Sequence, residues 1–214
     1  TACTIATQII LAVTSSTYGG ATISLSHLAP FVKSSYNKYY KKYKDRGLTE
    51  KQCEEYAKQD TRKEVSDGVQ TFNYQVNSMT NTNGQAPFLS VCMYLGETEE
   101  YKEELAMIIE EFLKQRIEGF KNEKGVYVTP AFPKLVYVLD EHNCLKGGKY
   151  DYITKMAVKC SSQRMYPDYI SAKKMRENYE GQVFSCMGCR SFLSPWKDEN
   201  GNYKWECRFT QGVV

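Results

Sequence analysis

The sequence predicts an α/β domain, and three observations carry that prediction. Leu135-Val136-Tyr137-Val138-Leu139 is continuously apolar and bounded by Pro133 and Asp140, which suits a strand covered on both faces. A second β-rich run spans residues 88–94. Between the two, residues 97–120 place Tyr101, Leu105, Ile108, Ile109, Phe112 and Ile117 on one side of a helix, so the order and length fit a β-α-β crossover.

The remaining elements follow from the same periodicities. Residues 2–13 set Ile5, Ala6, Ile9, Ile10 and Val13 at spacings of three and four, which predicts a helix burying that face before Gly19-Gly20. After Pro30, Phe31, Val32, Ser35, Tyr36, Tyr39, Tyr40 and Tyr43 recur at helical spacing with lysines between them, and Gly47 closes this second helix. Thr49 followed by Gln52 is a capping box, because each side chain can satisfy an orphan amide of the first turn. The helix that follows should run about 46 Å to Met79. Its apolar seam, Val65, Val69, Phe72, Val76 and Met79, could serve a second subunit or the chain's own core. Asn83-Gly84 breaks it. A helix over 152–162 uses Ile153, Met156, Ala157 and Cys160, residues 182–185 read as a strand, and Asn200-Gly201 between aromatic runs at 192–196 and 203–209 predicts a hairpin.

Composition bounds the function. At 214 residues with 42% apolar content, the chain is long enough for one globular unit that buries roughly 70% of its unfolded surface. With 28 basic against 25 acidic residues, and the lysines spread over helix faces, no nucleic-acid partner is expected. The longest strongly apolar stretch, residues 9–13, falls far short of the roughly 20 needed to cross a membrane. Eight cysteines without a secretory signal point to a reducing, cytoplasmic setting. Thr1 is not an initiator methionine and Gly212-Val213-Val214 stops on apolar residues, so a piece of a longer protein is expected.

The sequence contains neither GxGxxG nor GxxxxGK[ST], and its two histidines, His27 and His142, stand far apart. Cys186-Met187-Gly188-Cys189 has a C-x2-C spacing that suits zinc or dithiol exchange. A tetrahedral zinc site would recruit Cys160 and Cys207; the alternatives are a cysteine placed for other chemistry, or core packing.

Five local sequences decide among these: Ser15-Ser16-Thr17-Tyr18-Gly19-Gly20, Asn83-Gly84-Gln85-Ala86-Pro87-Phe88, Thr129-Pro130-Ala131-Phe132-Pro133-Lys134-Leu135, Arg164-Met165-Tyr166-Pro167-Asp168 and Met187-Gly188-Cys189-Arg190-Ser191-Phe192-Leu193. In order and spacing they closely resemble successive segments of the anaerobic, glycyl-radical (class III) ribonucleoside-triphosphate reductases, over essentially the whole chain. The resemblance implies the first half of a ten-stranded glycyl-radical-enzyme barrel, starting after its first strands. It implies a helical dimerisation region over about 1–80, barrel strands and crossovers over about 86–181, and a finger loop with its hairpin over about 182–211.

By the same resemblance Cys189 is the thiyl-radical residue that takes the ribose 3'-hydrogen, and Thr210 stands where the family usually has the asparagine that helps hold substrate and formate. Thr17 stands where glutamine is common, and Cys186 where the family uses no cysteine. The implied partners are a ribonucleoside triphosphate substrate, formate as reductant, nucleotide allosteric effectors, a second copy of the chain and a radical-generating activase. No cofactor is expected on this segment. The glycyl radical, made by a 4Fe-4S/S-adenosylmethionine activase, and a C-terminal structural zinc belong to the full-length family protein, as do an upstream cysteine and, in many members, an ATP-cone. The chain alone should therefore be inactive. The competing readings are a non-catalytic dimerising or regulatory remnant, and a small protein stabilised by zinc on Cys160, Cys186, Cys189 and Cys207.

Overall fold

The computed structural model describes residues 1–16, 20–82, 84–179, 181–186, 191–197 and 199–209, the hairpin segments 191–197 and 203–209 by their backbone alone. Helix α1 (Ala2–Ser16) leads into strand β1 (Gly20–Ser24), and helices α2 (Ala29–Lys44) and α3 (Glu50–Ser78) follow. Strand β2 (Phe88–Met93), helix α4 (Lys102–Glu118), a small ladder of β3 (Phe120–Lys121) with β4 (Tyr127–Val128), strand β5 (Lys134–Leu139) and helix α5 (Asp151–Arg164) come next. The described chain ends with β6 (Asp168–Ser171), α6 (Ala172–Asn178) and a hairpin of β7 (Ser191–Lys197) and β8 (Tyr203–Phe209).

The local signals act as the residue chemistry requires. Pro30 sits in the first turn of α2, where its missing N–H is no loss, and Lys41, Lys42 and Lys44 meet the negative end of the helix dipole. Both halves of the Thr49/Gln52 capping box form, an arrangement worth about 1 kcal/mol. Lys38 reaches Glu64 at 3.1 Å and Lys42 reaches Asp60 at 3.4 Å, so α2 and α3 run antiparallel. Helix α4 begins five residues later than the periodicity suggests, because residues 95–97 form a separate 3-10 turn. It ends at Gly119, whose φ is +82° and where a Cβ would lie 2.7 Å from the Val128 carbonyl oxygen, so no side chain fits.

Strands β1, β2, β5 and β6 form one parallel sheet in that order. The order always advances in one direction, and right-handed crossovers then put every crossover helix on the same face. Accordingly Leu89, Val91, Met93, Leu135 and Tyr137 share a core with Val65, Val69, Phe72, Leu105, Ile109, Phe112, Ile153 and Cys160. The alternate residues Ser90, Cys92, Val136, Val138 and Ile170 face the other way. There Cys92, Val136, Val138 and Ile170 pack with Ala172 and Met175 of α6 and with Val183, Phe184 and Cys186. Among the described residues the sheet is open, with β1 and β6 as its edges. No described helix is long and apolar enough to cross a membrane.

Several expectations are corrected. Helix α1 buries Thr7, Ile10 and Thr14, while Ile5, Ile9 and Val13 of the expected inner face are 54%, 59% and 41% exposed. Thr7 bonds Gln75 of α3 and the Thr4 carbonyl, and Thr14 bonds the Ile10 carbonyl, so the threonines are buried with partners. Gly68 allows this docking, since a Cβ there would lie 3.2 Å from the Cys3 sulfur. The Val65–Val76 part of the α3 seam is spent inside the chain's own core and offers nothing to a second subunit. Residues 182–185 are not a strand; β1 and β6, which the periodicity does not anticipate, supply the sheet's outer pairs.

Candidate functional site

The face of the sheet away from the crossover helices is the candidate site, because the chain crosses it immediately before Met187-Gly188-Cys189-Arg190. The Thr22 hydroxyl donates to the Cys186 carbonyl at 3.3 Å, tying residues 183–186 to β1. Cys186 is fully buried with Val136, Ile170 and Met175, and Val183 bridges to Cys92, Val138 and Ala172. The Ser90 hydroxyl, on the same face, is buried without a hydrogen-bond partner among the described residues. Burial pushes the Cys92 thiol up to about 12, with a Ser185 hydrogen bond opposing and Glu97 and Cys186 adding to the rise. Cys92 is therefore a protonated thiol at neutral pH rather than a ready nucleophile.

The carboxyl ends of the strands are locked by a polar network. Ser24, at the end of β1, donates to Glu97, which follows β2. The Asp140 carboxylate, 4% exposed after β5, accepts from the backbone amides of Gly96 at 3.0 Å, His142 at 2.8 Å and Asn143 at 3.2 Å. Arg176 of α6 donates to the Tyr94 hydroxyl at 3.0 Å and to Glu141 at 3.0 Å, and this hydrogen bond holds the Glu141 carboxyl below its ordinary value. These contacts fix α6, and with it the start of the crossing segment, against the ends of β2 and β5.

Of the residues singled out by sequence, Cys189 and Thr210 lie outside the described residues. The four-cysteine zinc reading is overturned by the other pair. Cys160 belongs to the core on the crossover-helix face, with Leu135 and Tyr137, whereas Cys186 belongs to the cluster of Val136 on the opposite face, so the sheet itself separates them. Burial also pushes the Cys160 thiol up to about 11, against the pull of Arg116 and Arg164. Among the described residues no group of three or more His, Cys, Asp or Glu could hold a metal ion. Sequence reasoning misses Thr22, Ser90 and Cys92. The alternation of apolar with small polar or thiol side chains in β2 is the available signal for the last two.

Comparison with known proteins is uniform. Residues 1–214 match the family described as anaerobic ribonucleoside-triphosphate reductase. The chain is 38% identical over 218 residues to the anaerobic ribonucleoside-triphosphate reductase of Escherichia coli K12, covering 100% of this chain and 29% of that protein. It is 38% identical over 211 residues to the enzyme of the same name from Enterobacteria phage T4, covering 97% of this chain and 33% of the phage protein. The Haemophilus influenzae protein is 36% identical, with 100% and 29% covered. The chain thus spans about a third or less of the relatives it matches.

Proposed function

Because this chain belongs to the anaerobic ribonucleoside-triphosphate reductase family, we propose that it is part of a catalytic domain that reduces ribonucleoside triphosphates to 2'-deoxyribonucleoside triphosphates by radical chemistry. The observation that carries the reading is the crossing of the inner sheet face by residues 183–186, directly ahead of Met187-Gly188-Cys189-Arg190, in a chain matched to the family from end to end. A parallel sheet whose order advances in one direction, with its crossover helices on one face, is also the arrangement that half a barrel requires.

In this reading the covered sheet face lines the interior of a ten-stranded barrel completed by the rest of the longer protein. Cys189 accepts the ribose 3'-hydrogen: the C3'–H bond breaks, an S–H bond forms, and the carbon-centred radical labilises the 2'-hydroxyl, which leaves with a proton as water. Thr210 contributes one hydroxyl toward substrate and formate, the reductant. The glycyl radical, the structural zinc and the activase reside outside this segment. Nucleotide effectors and a second copy of the chain act on the helical region. Self-association is assigned to the Ile5-Ile9-Val13 stripe of α1, since the α3 seam is already buried.

The test uses the full-length protein, activated without oxygen and supplied with formate. Cys189→Ser should abolish deoxynucleotide formation while the glycyl radical signal persists, and Cys186→Ser should keep much of the turnover. Substantial turnover by the Cys189 variant would end the assignment.

A further inference from the structure

Residue 186 is held at its two ends by unlike forces. Its side chain is fully buried in a cluster with Val136 of β5, Ile170 of β6 and Met175 of α6. Its carbonyl accepts a hydrogen bond at 3.3 Å from the Thr22 hydroxyl of β1, 164 residues earlier in the chain. Apolar packing is non-directional, so the cluster fixes how deep the residue sits and leaves the rotation of its peptide group open. The hydrogen bond supplies the missing direction. Because the peptide unit is planar, aiming the Cys186 carbonyl also aims the plane through which the backbone continues toward Met187-Gly188-Cys189-Arg190.

Thr22 is suited to that task. It pairs with Ser90 of β2, between the pairs of Ala21 with Leu89 and Ile23 with Val91, and β2 is itself paired with β5. The hydroxyl therefore stands on a backbone that is held on both sides of its own residue. A β-branched side chain is stiff at χ1, which limits how far the hydroxyl can swing. Valine has the same shape and an equal preference for strands, so what threonine adds at this position is the bond to Cys186. At 3.3 Å that bond is longer than the roughly 2.8 Å of a tight hydroxyl contact, so it steers the carbonyl rather than clamping it.

We propose that Thr22 is a positioning residue: by orienting the Cys186 carbonyl it sets the approach of Cys189, three residues further on, to the ribose. The inference rests on the proposed function, in which Cys189 takes the 3'-hydrogen. Hydrogen transfer requires close approach of the reacting atoms, so a small rotation at residue 186 is felt in that step. Substrate affinity and storage of the radical do not depend on it. Thr22 acts through the backbone and touches no reacting atom.

The test uses the full-length protein, activated without oxygen and supplied with formate. Thr22→Val keeps the shape of the side chain and removes the hydroxyl, Thr22→Ala removes it without any risk of overpacking, and Thr22→Ser keeps it. The valine and alanine variants should lose about three- to tenfold in kcat, the effect of one modest hydrogen bond. Their KM for the ribonucleoside triphosphate and their glycyl radical signal should match the parent protein. With substrate deuterated at C3', their isotope effect on kcat should exceed that of the parent, and Thr22→Ser should restore both kcat and the isotope effect. Parent-like kcat in the valine and alanine variants would overturn the proposal, as would slow turnover with an unchanged isotope effect, or a serine variant as slow as valine. Cys189→Ser separates this inference from the reading beneath it. If that variant is inactive while Thr22→Val is unaffected, only the positioning role falls; if it turns over, both fall.

Discussion

Phe72 of α3 meets Phe112 of α4 edge to face, with ring centroids 5.5 Å apart and planes at 73°. The rings are 0% and 2% exposed, so the contact turns the α3 seam toward the sheet and away from solvent. An edge-to-face pair adds about 0.5–1.5 kcal/mol to the area it buries.

Phe72→Ala should therefore destabilise the fold by about 3–5 kcal/mol, the range for emptying a buried aromatic site. Tyr74→Ala, two residues along and 69% exposed, should stay within about 0.5 kcal/mol. Urea denaturation midpoints compare the two. Equal effects would mean that the seam does not point where the contact places it.

The Tyr43 hydroxyl donates to Asp60 Oδ2 at 2.7 Å, and this bond, with the Lys42 and Lys63 charges, holds the Asp60 carboxyl below its ordinary 3.8. A carboxyl depressed in the folded state stabilises it above the unfolded value, and that contribution disappears as the pH falls through the lower folded value. Tyr43→Phe should raise the Asp60 titration midpoint toward 3.8 and flatten the acid limb of stability. Carboxyl NMR titration reads the shift; an unchanged midpoint in the variant would exclude the tyrosine as its main cause.

Arg116 is 4% exposed, yet its terminal nitrogens donate to backbone carbonyls, Pro130 at 2.8 Å and Pro133, rather than to a carboxylate. Desolvation pulls its pKa below the ordinary arginine value. The guanidinium fork clamps the segment just ahead of β5, and Arg164 reinforces it by donating to the Ile117 and Glu118 carbonyls at the end of α4. Lysine keeps the charge but loses the fork. Arg116→Lys should cost about 1–3 kcal/mol by leaving a buried carbonyl unpaired. Unfolding midpoints matching the parent protein would show that one ammonium suffices.

The legible parts of the fold were those with redundant local signals. Strand β5 and helices α3, α4 and α5 each carry long apolar repeats, and Thr49 with Gln52 marks a helix start through its own side chains. Strands β1 and β6 carry no such signal. They have five and four residues, and β1 places Thr22 and Ser24 on the inner face, so their strand character depends on parallel neighbours distant in sequence. Residues 182–185 look like a strand because Val183 and Phe184 are apolar, but what those side chains cover is a sheet face rather than a sheet edge. The buried face of α1 departs from its hydropathy pattern for a related reason. Hydropathy ranks isoleucine above threonine, whereas Thr7 is buried because Gln75 of α3 satisfies its hydroxyl. At the candidate site, Cys186 stands out in the sequence through the C-x2-C, whereas the placement of Cys92 on the same sheet face depends on the register.

With one side of α1 docked on α3, Ile5, Ile9 and Val13 form an apolar stripe at intervals of four residues, each more than two fifths exposed. Burying one such side chain is worth about 1.5–3 kcal/mol, so the central residue should contribute roughly one to two orders of magnitude to a self-association constant. Ile9→Glu places a charge at the middle of that stripe and should weaken dimerisation of the full-length protein at least about tenfold. Helix content by circular dichroism should hold, because the site faces solvent in the single chain. Lys41→Glu, on the exposed surface of α2, serves as a charge-changing control that should leave association unchanged. Sedimentation equilibrium across a range of concentrations distinguishes the cases. If Ile9→Glu dimerises like the parent protein, the stripe is covered by another part of the longer protein, and the self-association surface must be sought elsewhere than α1.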